Sequence, residues 1–196
     1  LGASKKNDIS YLVNICEPKM TALLNVSEAH MESFGSFETL IKTKEEIFSH
    51  INTDQVVLNR DDKHFARWKK INKHKKITTI SIFKDADYFI EKTDDEFFYI
   101  STPKGKFELI KKNSSEILAI NLLFSIALAM EAGADIQSVK DGIYSFSGVQ
   151  GRFFSFISSN KSIVIDDSYN ANPESMKSSL NQIKHFKKTK IFVMGD

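Results

Sequence analysis

Short apolar runs of strand length alternate along this chain with longer segments of helical periodicity. Residues 20–26 and 55–58 have the length and composition of buried strands. Between them, from residue 37 to residue 51, apolar side chains recur every three or four positions, and Ser36 is placed to cap the helix that this spacing predicts. Helices between buried strands form crossover connections, so the pattern predicts an α/β fold with a largely parallel sheet.

The pattern changes between about residues 76 and 111. Short stretches of alternating polar and apolar residues there predict a small antiparallel insertion on the α/β body. A long apolar segment from about residue 115 to 132 then predicts a buried helix. Gly133 is a suitable helix stop, and Asp135 can cap the helix that follows.

Residues 145–151 contain two glycines and little periodicity, which predicts a domain boundary. We therefore divide the chain into a first domain at residues 1–148 and a second at residues 149–196. The second domain contains three elements that predict one βαβ unit with a right-handed crossover, namely a strand at 162–166, a helix at 173–186 and a strand at 190–194.

The composition argues against several classes of protein. The chain has 27 basic and 25 acidic residues and its lysine pairs are scattered, so we expect no nucleic-acid binding. Asn121 and Glu131 interrupt the most apolar stretch, so we expect no membrane insertion. Cys16 is the only cysteine, which excludes an intrachain disulfide and favours a cytoplasmic location, and its apolar neighbours predict a core thiol. The first residue is not methionine, as expected of an internal fragment.

Lys44 breaks the apolar pattern of the first long helix. Positions 37, 40, 41, 44, 47, 48 and 51 form one stripe, and Lys44 lies in its middle. A desolvated ammonium is costly, so this lysine is expected to be paired, neutral or chemically altered. The alternative is a lysine whose flexible stem carries its charge to the edge of the stripe.

Two polar segments follow predicted strands, where open α/β sheets bind ligands. His30 comes after the first strand, and an imidazole there can coordinate a metal or transfer a proton, or it can be a surface residue. Asp166 and Asp167 end a later strand and face a helix that starts at Pro173. Adjacent strand residues point to opposite faces, so we expect one of the two carboxylates to point into a site, unless the segment is only a capped turn.

Asn121 and Arg152 are two further polar residues in unusual positions. Asn121 lies among apolar residues of the predicted buried helix. An unpaired buried amide costs about 1–3 kcal/mol, so Asn121 must bond either a neighbouring backbone group or a heterocyclic ligand. Arg152 follows Gly151 near the predicted boundary, where it can reach a phosphate or be an ordinary surface arginine. No G-x-x-x-x-G-K-[ST] phosphate loop occurs in these residues.

Taken together, these segments resemble the Mur ligases over nearly the whole chain. The resemblance rests on four runs, namely Leu1-Gly2-Ala3, residues 25–36, residues 42–48, and Gly151-Arg152 with residues 166–173. The Tyr-Asn-Ala-Asn-Pro sequence at 169–173 resembles the corresponding segment of the family members that add D-alanyl-D-alanine. The family implies an incomplete P-loop-type central domain, whose phosphate loop is expected upstream of Leu1, followed by the start of a Rossmann-like C-terminal domain.

The resemblance also implies roles for the polar residues. Lys44 matches a lysine that reacts with carbon dioxide to form a carbamate and helps to hold Mg²⁺, and His30 matches a histidine that ligates Mg²⁺. These two are the implied catalytic and metal-binding residues. The other matches imply ATP binding, with Asn121 near the adenine, Arg152 near the phosphates, Asp167 at the ribose and Asn170 as a further cofactor-binding residue.

The implied activity is ATP-dependent ligation of D-alanyl-D-alanine to UDP-N-acetylmuramoyl-tripeptide through an acyl phosphate, by a monomer, in peptidoglycan synthesis. The fragment alone is expected to be inactive, because the phosphate loop lies outside it. Two alternatives stay open: another ligase of the Mur or folylpolyglutamate type, and a non-catalytic scaffold that keeps the fold. Ile117 and Leu118 favour the scaffold, because a His-Asn pair is common in the family at these positions.

Overall fold

The computed structural model describes residues 1–26, 34–111, 116–171, 173–184, 186–187 and 189–195, without the side chains of residues 116, 117 and 174. The chain divides into two compact units, Leu1–Ser145 and Phe146–Asp196. The assignment of residues 1–148 and 149–196 to two domains stays a prediction.

The first unit alternates helices and strands, as the apolar pattern predicts. Its elements in chain order are α1 (Asp8–Cys16), β1 (Met20–Leu23), α2 (Phe37–Glu45), a 3-10 turn (Glu46–Phe48), β2 (Gln55–Asn59), α3 (Phe65–Ile71), β3 (Lys76–Ser81), β4 (Tyr88–Thr93), β5 (Phe97–Thr102), β6 (Gly105–Ile110), α4 (Glu116–Glu131) and α5 (Ile136–Ser145). The expectation of a core thiol is wrong, because Cys16 is exposed at the last residue of α1, which buries Ile9 and Val13.

The helix ends expected from the sequence are present. Ser36 Oγ accepts a hydrogen bond from the Thr39 amide at 3.1 Å, at the start of α2. Asp135 Oδ1 accepts one from the Ser138 amide at 2.7 Å, at the start of α5. Gly133 follows α4 with a φ of 113°, a left-handed conformation that glycine adopts without steric cost.

Six strands form one mixed sheet in the order β1-β2-β3-β4-β5-β6. Neighbours from β1 to β4 are parallel, whereas β4, β5 and β6 are antiparallel. The expected antiparallel segment is therefore present, but β3, which the sequence places within it, belongs to the parallel part. Between β3 and β4 only Ile80 and Tyr88, and Ser81 and Phe89, are paired. Because β4 begins beside the end of β3 and runs on beyond it, a short connection suffices where parallel strands normally need a long crossover.

Apolar side chains cover both faces of this sheet. Val57 packs in a cluster with α4 and α5 that includes Leu123. Its neighbours Val56 and Leu58 point to the other face and pack with α2 and α3, in a cluster that includes the fully buried Trp68. A sheet covered by helices on both faces accounts for the continuous apolar run of β2. Within the described part of the chain, no helix is both long and apolar enough to span a bilayer.

The second unit contains β7 (Phe154–Ile157), β8 (Ile163–Asp166) and α6 (Pro173–Ile183). β7 and β8 are antiparallel, with Phe154 opposite Asp166. The expected strand at 190–194 is not formed among the described residues, and its Ile191 and Val193 are 87% and 84% exposed. The predicted βαβ unit is therefore wrong here, because a strand needs a neighbour for its backbone groups and no described strand lies beside residues 190–194.

Candidate functional site

Three parallel strands of the first unit end at one edge of the sheet. Leu23, Asn59 and Ser81 are the last residues of β1, β2 and β3. Carboxyl ends of parallel strands are where sheets of this kind bind ligands. His30 follows β1 but lies outside the described residues, so its place in the site stays a prediction.

Asp61 joins the loops that follow β2 and β3. Its Oδ1 accepts a hydrogen bond from Ser81 Oγ, and its Oδ2 accepts one from the Ile82 amide, each at 2.7 Å. The Asp61 amide in turn donates to Oδ1 of the buried Asn59 at 3.0 Å. Both carboxylate oxygens accept hydrogen bonds, so Asp61 holds the loop after β2 against the loop after β3.

Lys44 is half-buried on α2. Leu40 and Thr43 are the most deeply buried residues of that helix, at 2% and 0% exposure, and Lys44 lies beside them at the border of the buried face. The predicted stripe is wrong at its end, where Ile51 is 93% exposed, because α2 tightens into the 3-10 turn and the helical spacing is lost. Within the described part of the chain, the Lys44 amine makes no hydrogen bond or ion pair.

Arg67 on α3 binds two glutamates of α2, the helix that carries Lys44. Its Nη1 donates to both oxygens of Glu38 at 2.9 Å, and its Nη2 donates to Glu45 Oε2 at 2.7 Å. Nε lies 2.6 Å from Glu45 Oε1. Hydrogen bonding to Glu45 raises the pKa of the Arg67 guanidinium, and that to Glu38 adds to this, although partial burial opposes it. Arg67 thereby fixes α2 against α3.

A magnesium ion needs several oxygen ligands. Among the described side chains, no group of three or more histidines, cysteines, aspartates or glutamates is placed to hold a metal ion. Lys44 would supply oxygen ligands only as a carbamate, and His30 is outside the described residues. The described donors therefore do not form a magnesium site by themselves.

Asn121 is exposed, so the expectation of a buried amide is wrong. α4 buries Ala119 and Leu123, and Asn121 lies about 200° from Ala119 around the helix axis, since successive residues are about 100° apart. Leu118 is 38% exposed, whereas the side chain of Ile117 is outside the description. The apolar neighbours of Asn121 in the sequence indicated the composition of the helix but not which face meets the sheet. An exposed amide can contact a ligand, so the adenine contact stays a prediction.

Asp166 and Asp167 both bind the turn that contains Arg152. Asp166 Oδ2 accepts a hydrogen bond from the Gly151 amide at 3.1 Å, and Asp167 Oδ1 accepts one from the Phe153 amide at 3.0 Å. Asp167 lies beyond the end of β8, so strand alternation does not decide where its side chain points, and which of the two carboxylates faces a ligand stays a prediction.

Further hydrogen bonds fix both carboxylates. Ser168 donates to Asp166 from its side chain and its amide, and these bonds, with that from Gly151, hold the pKa of Asp166 below its ordinary value despite slight desolvation. Ser179 Oγ on α6 donates to Asp167 Oδ2. The loop after β8 is thus tied both to the turn at residues 151–153 and to α6.

Arg152 is exposed, and its guanidinium carbon lies 4.0 Å from the centre of the Tyr169 ring. The Tyr169 amide donates to Gly151 O at 3.0 Å. Asn170 is the next residue along the chain and is exposed. Arg152 and Asp167 are therefore brought together in the second unit, whereas Lys44 and Asn121 lie in the first.

Sequence reasoning assigned no role to three residues that organise these regions. Asp61 follows the end of β2 in an Asn-Arg-Asp-Asp run. His30 was selected because polar residues just after a strand are placed to bind ligands, and the same criterion selects Asp61. Tyr169 lies within a run that carries the family resemblance, where its ring offers a stacking face. Arg67 gave no local signal, because its partners lie more than twenty residues away in sequence.

The Mur ligase middle domain family matches residues 1–129, so the chain belongs to the Mur ligase family. The mixed α/β fold of the first unit agrees with that membership.

The chain is also similar to individual members. It is 30% identical to the UDP-N-acetylmuramoyl-tripeptide–D-alanyl-D-alanine ligase of Haemophilus influenzae, over 100% of this chain and 43% of that protein. The chain thus spans less than half the length of the curated relatives it matches. The crystal structure of MurF from Acinetobacter baumannii superposes with a TM-score of 0.82 at 26% identity, over 93% of this chain and 41% of that one. MurF ligase from Thermotoga maritima, solved in complex with ADP, shares the fold with a TM-score of 0.76 at 24% identity, over 94% and 43%.

Proposed function

We propose that the protein is an ATP-dependent ligase that joins D-alanyl-D-alanine to UDP-N-acetylmuramoyl-tripeptide in peptidoglycan synthesis. The observation that carries this proposal is the match of the whole chain to a ligase of that name. The run at residues 169–173 favours the same acceptor over those of other Mur ligases. A monomeric state and a cytoplasmic location are further parts of the proposal.

The loop after β8 has features suited to nucleotide binding. Arg152 has five N–H donors in a planar group that matches phosphate oxygens. A carboxylate has about four acceptor positions, and Asp167 uses two of them for Phe153 and Ser179, which leaves acceptors for ribose hydroxyls. Asn170 in this loop and Asn121 on α4 present exposed amides, the latter for the adenine.

The reaction would proceed in two steps, phosphoryl transfer and then amide formation. A carboxylate oxygen of the tripeptide attacks the γ-phosphorus of ATP, the bond to ADP breaks, and an acyl phosphate forms. The amine of D-alanyl-D-alanine attacks the acyl carbon, loses a proton, and phosphate leaves as the carbon–oxygen bond breaks. Arg152 would stabilise the charge on the transferred phosphoryl group. Magnesium, when bound by His30 and the carbamate of Lys44, would supply further neutralisation of that charge.

Lys44 is suited to the carbamate role because the residue is half-buried and its amine, among the described residues, has no partner. Its neutral nitrogen would form a bond to the carbon of CO₂ and release one proton to solvent. The product is an anion with two oxygen ligands in place of a cation.

Phosphate release by the full-length protein tests the proposed activity. With ATP, magnesium and UDP-N-acetylmuramoyl-tripeptide, we expect release that requires D-alanyl-D-alanine. Release with a different amino acid would indicate another ligase of the superfamily. No release with any acceptor would favour the scaffold, with the departure at Ile117 and Leu118 as the first cause to examine.

A substitution at Lys44 tests the carbamate. We expect Lys44→Ala to lower the ligation rate by more than the roughly 10–100-fold typical of outer-shell residues of metal sites, and short carboxylic acids to restore part of it. Lys42→Ala is the matched control, because Lys42 lies on the same helix with its side chain 66% exposed. Equal activity of Lys44→Ala and Lys42→Ala would contradict the carbamate role.

A further inference from the structure

The backbone on both sides of Arg152 is anchored. The Gly151 amide donates to Asp166 and the Phe153 amide donates to Asp167. Each carboxylate holds one neighbour of Arg152, so the Cα from which the guanidinium projects has a fixed position in the second unit. Phe153 has a φ of 51°, a left-handed conformation that a non-glycine residue adopts only where its surroundings impose it.

Tyr169 lies against the same turn at close range. Gly151 has a φ of 75°, and a Cβ at this position would lie 3.2 Å from Tyr169 Cβ and 3.3 Å from its backbone nitrogen. The Tyr169 amide also donates to Gly151 O at 3.0 Å. The absence of a side chain at residue 151 therefore permits the approach that brings the tyrosine ring beside Arg152.

The tyrosine ring contacts the guanidinium and leaves its donors free. The Arg152 guanidinium carbon is 4.0 Å from the ring centre, well within the range of a cation–π contact. Within the described part of the chain, the Arg152 side chain makes no hydrogen bond or ion pair, and the neighbouring carboxylates accept hydrogen bonds from the Gly151 and Phe153 amides. A guanidinium held by its face keeps its in-plane N–H groups for an anion.

We propose that Tyr169 is a positioning residue, whose ring holds the Arg152 guanidinium in the orientation that binds a phosphate group of the nucleotide. This inference rests on the proposed role of Arg152 in the ligase. An exposed arginine loses side-chain freedom when it binds an anion, and the ring reduces that loss because it restricts the guanidinium beforehand. Tyr169 is 68% exposed, so it contributes little to the core of the second unit.

The test is a double-mutant cycle in the full-length protein. kcat/KM for ATP and the equilibrium affinity for ATP, by titration calorimetry, are measured for Tyr169→Leu, Arg152→Ala and the double variant. We expect Tyr169→Leu to lower both quantities about 2- to 5-fold, the size of an exposed cation–π contact. Tyr169→Phe keeps the ring and should match the wild type. In the Arg152→Ala background, Tyr169→Leu should have no further effect, because the group that it positions is gone.

Tyr11→Leu is the matched control, since Tyr11 is also 68% exposed and lies on α1 in the first unit. Thermal unfolding of every variant separates a loss of folding from a loss of binding. Equal losses for Tyr169→Leu in both backgrounds, no loss at all, or a loss for Tyr169→Phe as large as that for Tyr169→Leu would each overturn the positioning role. An Arg152→Ala variant with wild-type activity would overturn the proposed role of Arg152 itself, and the positioning role with it.

Discussion

Glu131 at the end of α4 binds Lys76 at the start of β3, with Oε2 2.6 Å from Nζ. The same carboxylate accepts hydrogen bonds from Gln55 Nε2 at 2.6 Å and from Tyr88 OH at 3.0 Å. These three partners are the first residues of β2, β3 and β4. Glu131 thus ties one helix to three strands of the sheet, and its partners offset the unfavourable position of a carboxylate at a helix C-terminus.

Glu131→Gln should make the free energy of unfolding depend less on pH in the acid range. Burial raises the pKa of Glu131, but the hydrogen bonds from Lys76, Gln55 and Tyr88 together hold it below the ordinary value of 4.5. Because the folded-state pKa is depressed, the stabilisation is fully present above the unfolded-state value and is lost as pH falls through the folded-state pKa. At pH 7 we expect Glu131→Gln to lower the free energy of unfolding by about 1–2 kcal/mol, and this difference should shrink below about pH 4.5.

Urea unfolding followed by tryptophan fluorescence measures this difference. Trp68 is the only tryptophan and is fully buried in the same unit as Glu131. Glu91→Gln is the matched control, because Glu91 pairs with Lys106 at 2.7 Å while their side chains are 44% and 64% exposed. That variant should lose less than about 0.5 kcal/mol. Equal losses for the two variants, or a Glu131→Gln difference that persists unchanged to pH 3, would contradict the argument.

Arg67→Ala should loosen the contact between α2 and α3. The guanidinium binds Glu38 and Glu45 at once, and the Glu45 side chain is 11% exposed. Its removal takes the partner from Glu45 and leaves Glu38 with only the exposed Lys42, so we expect a loss of about 1–2 kcal/mol in the free energy of unfolding, discounted for the partial exposure of Arg67. Arg67→Lys should recover only part, because an ammonium cannot bind two carboxylates in the planar geometry of arginine.

Lys42→Ala is the control for the loss of an exposed ion pair to Glu38. Lys42 Nζ lies 3.6 Å from Glu38 Oε1, and both side chains are exposed. It should change the free energy of unfolding by less than about 0.5 kcal/mol in the same urea titration. An Arg67→Lys variant as stable as the wild type would show that a single charge suffices and that the double contact adds nothing.

The parts of the fold that local chemistry specifies were predictable from the sequence. Ser36 and Asp135 cap helices because their side-chain oxygens reach amides within three residues, and such signals are visible in a short window. The place of β3 was not visible, because alternation within a strand does not identify the strand beside it. The strand expected at 190–194 failed for a related reason, since an apolar run does not supply the neighbour with which it must pair.

The site residues divide in the same way. Arg152 and Asp167 could be found from their runs, but the hydrogen bond from the Phe153 amide that links them needs the folded chain. Asn121 was misplaced because every neighbour in sequence is apolar, which hides the face of α4 that meets the sheet. The stripe around Lys44 was predictable as far as Phe48, which is buried, and failed only at Ile51, beyond the last helical turn.

Gly151→Ala should release the turn that carries Arg152. Alanine at a φ of 75° is strained, and its Cβ would lie 3.2–3.3 Å from the Cβ and backbone nitrogen of Tyr169, which cannot rotate away. We expect the Phe153 amide to exchange its hydrogen about ten-fold faster, as for a loss of about 1.4 kcal/mol. Gly148→Ala is the control, because Gly148 is also left-handed at 93° but its Cβ would meet only the Phe154 ring, which can shift. Equal hydrogen exchange rates of the Phe153 amide in both variants would contradict the argument. They would show that the approach of Tyr169 is not the reason why residue 151 must be glycine.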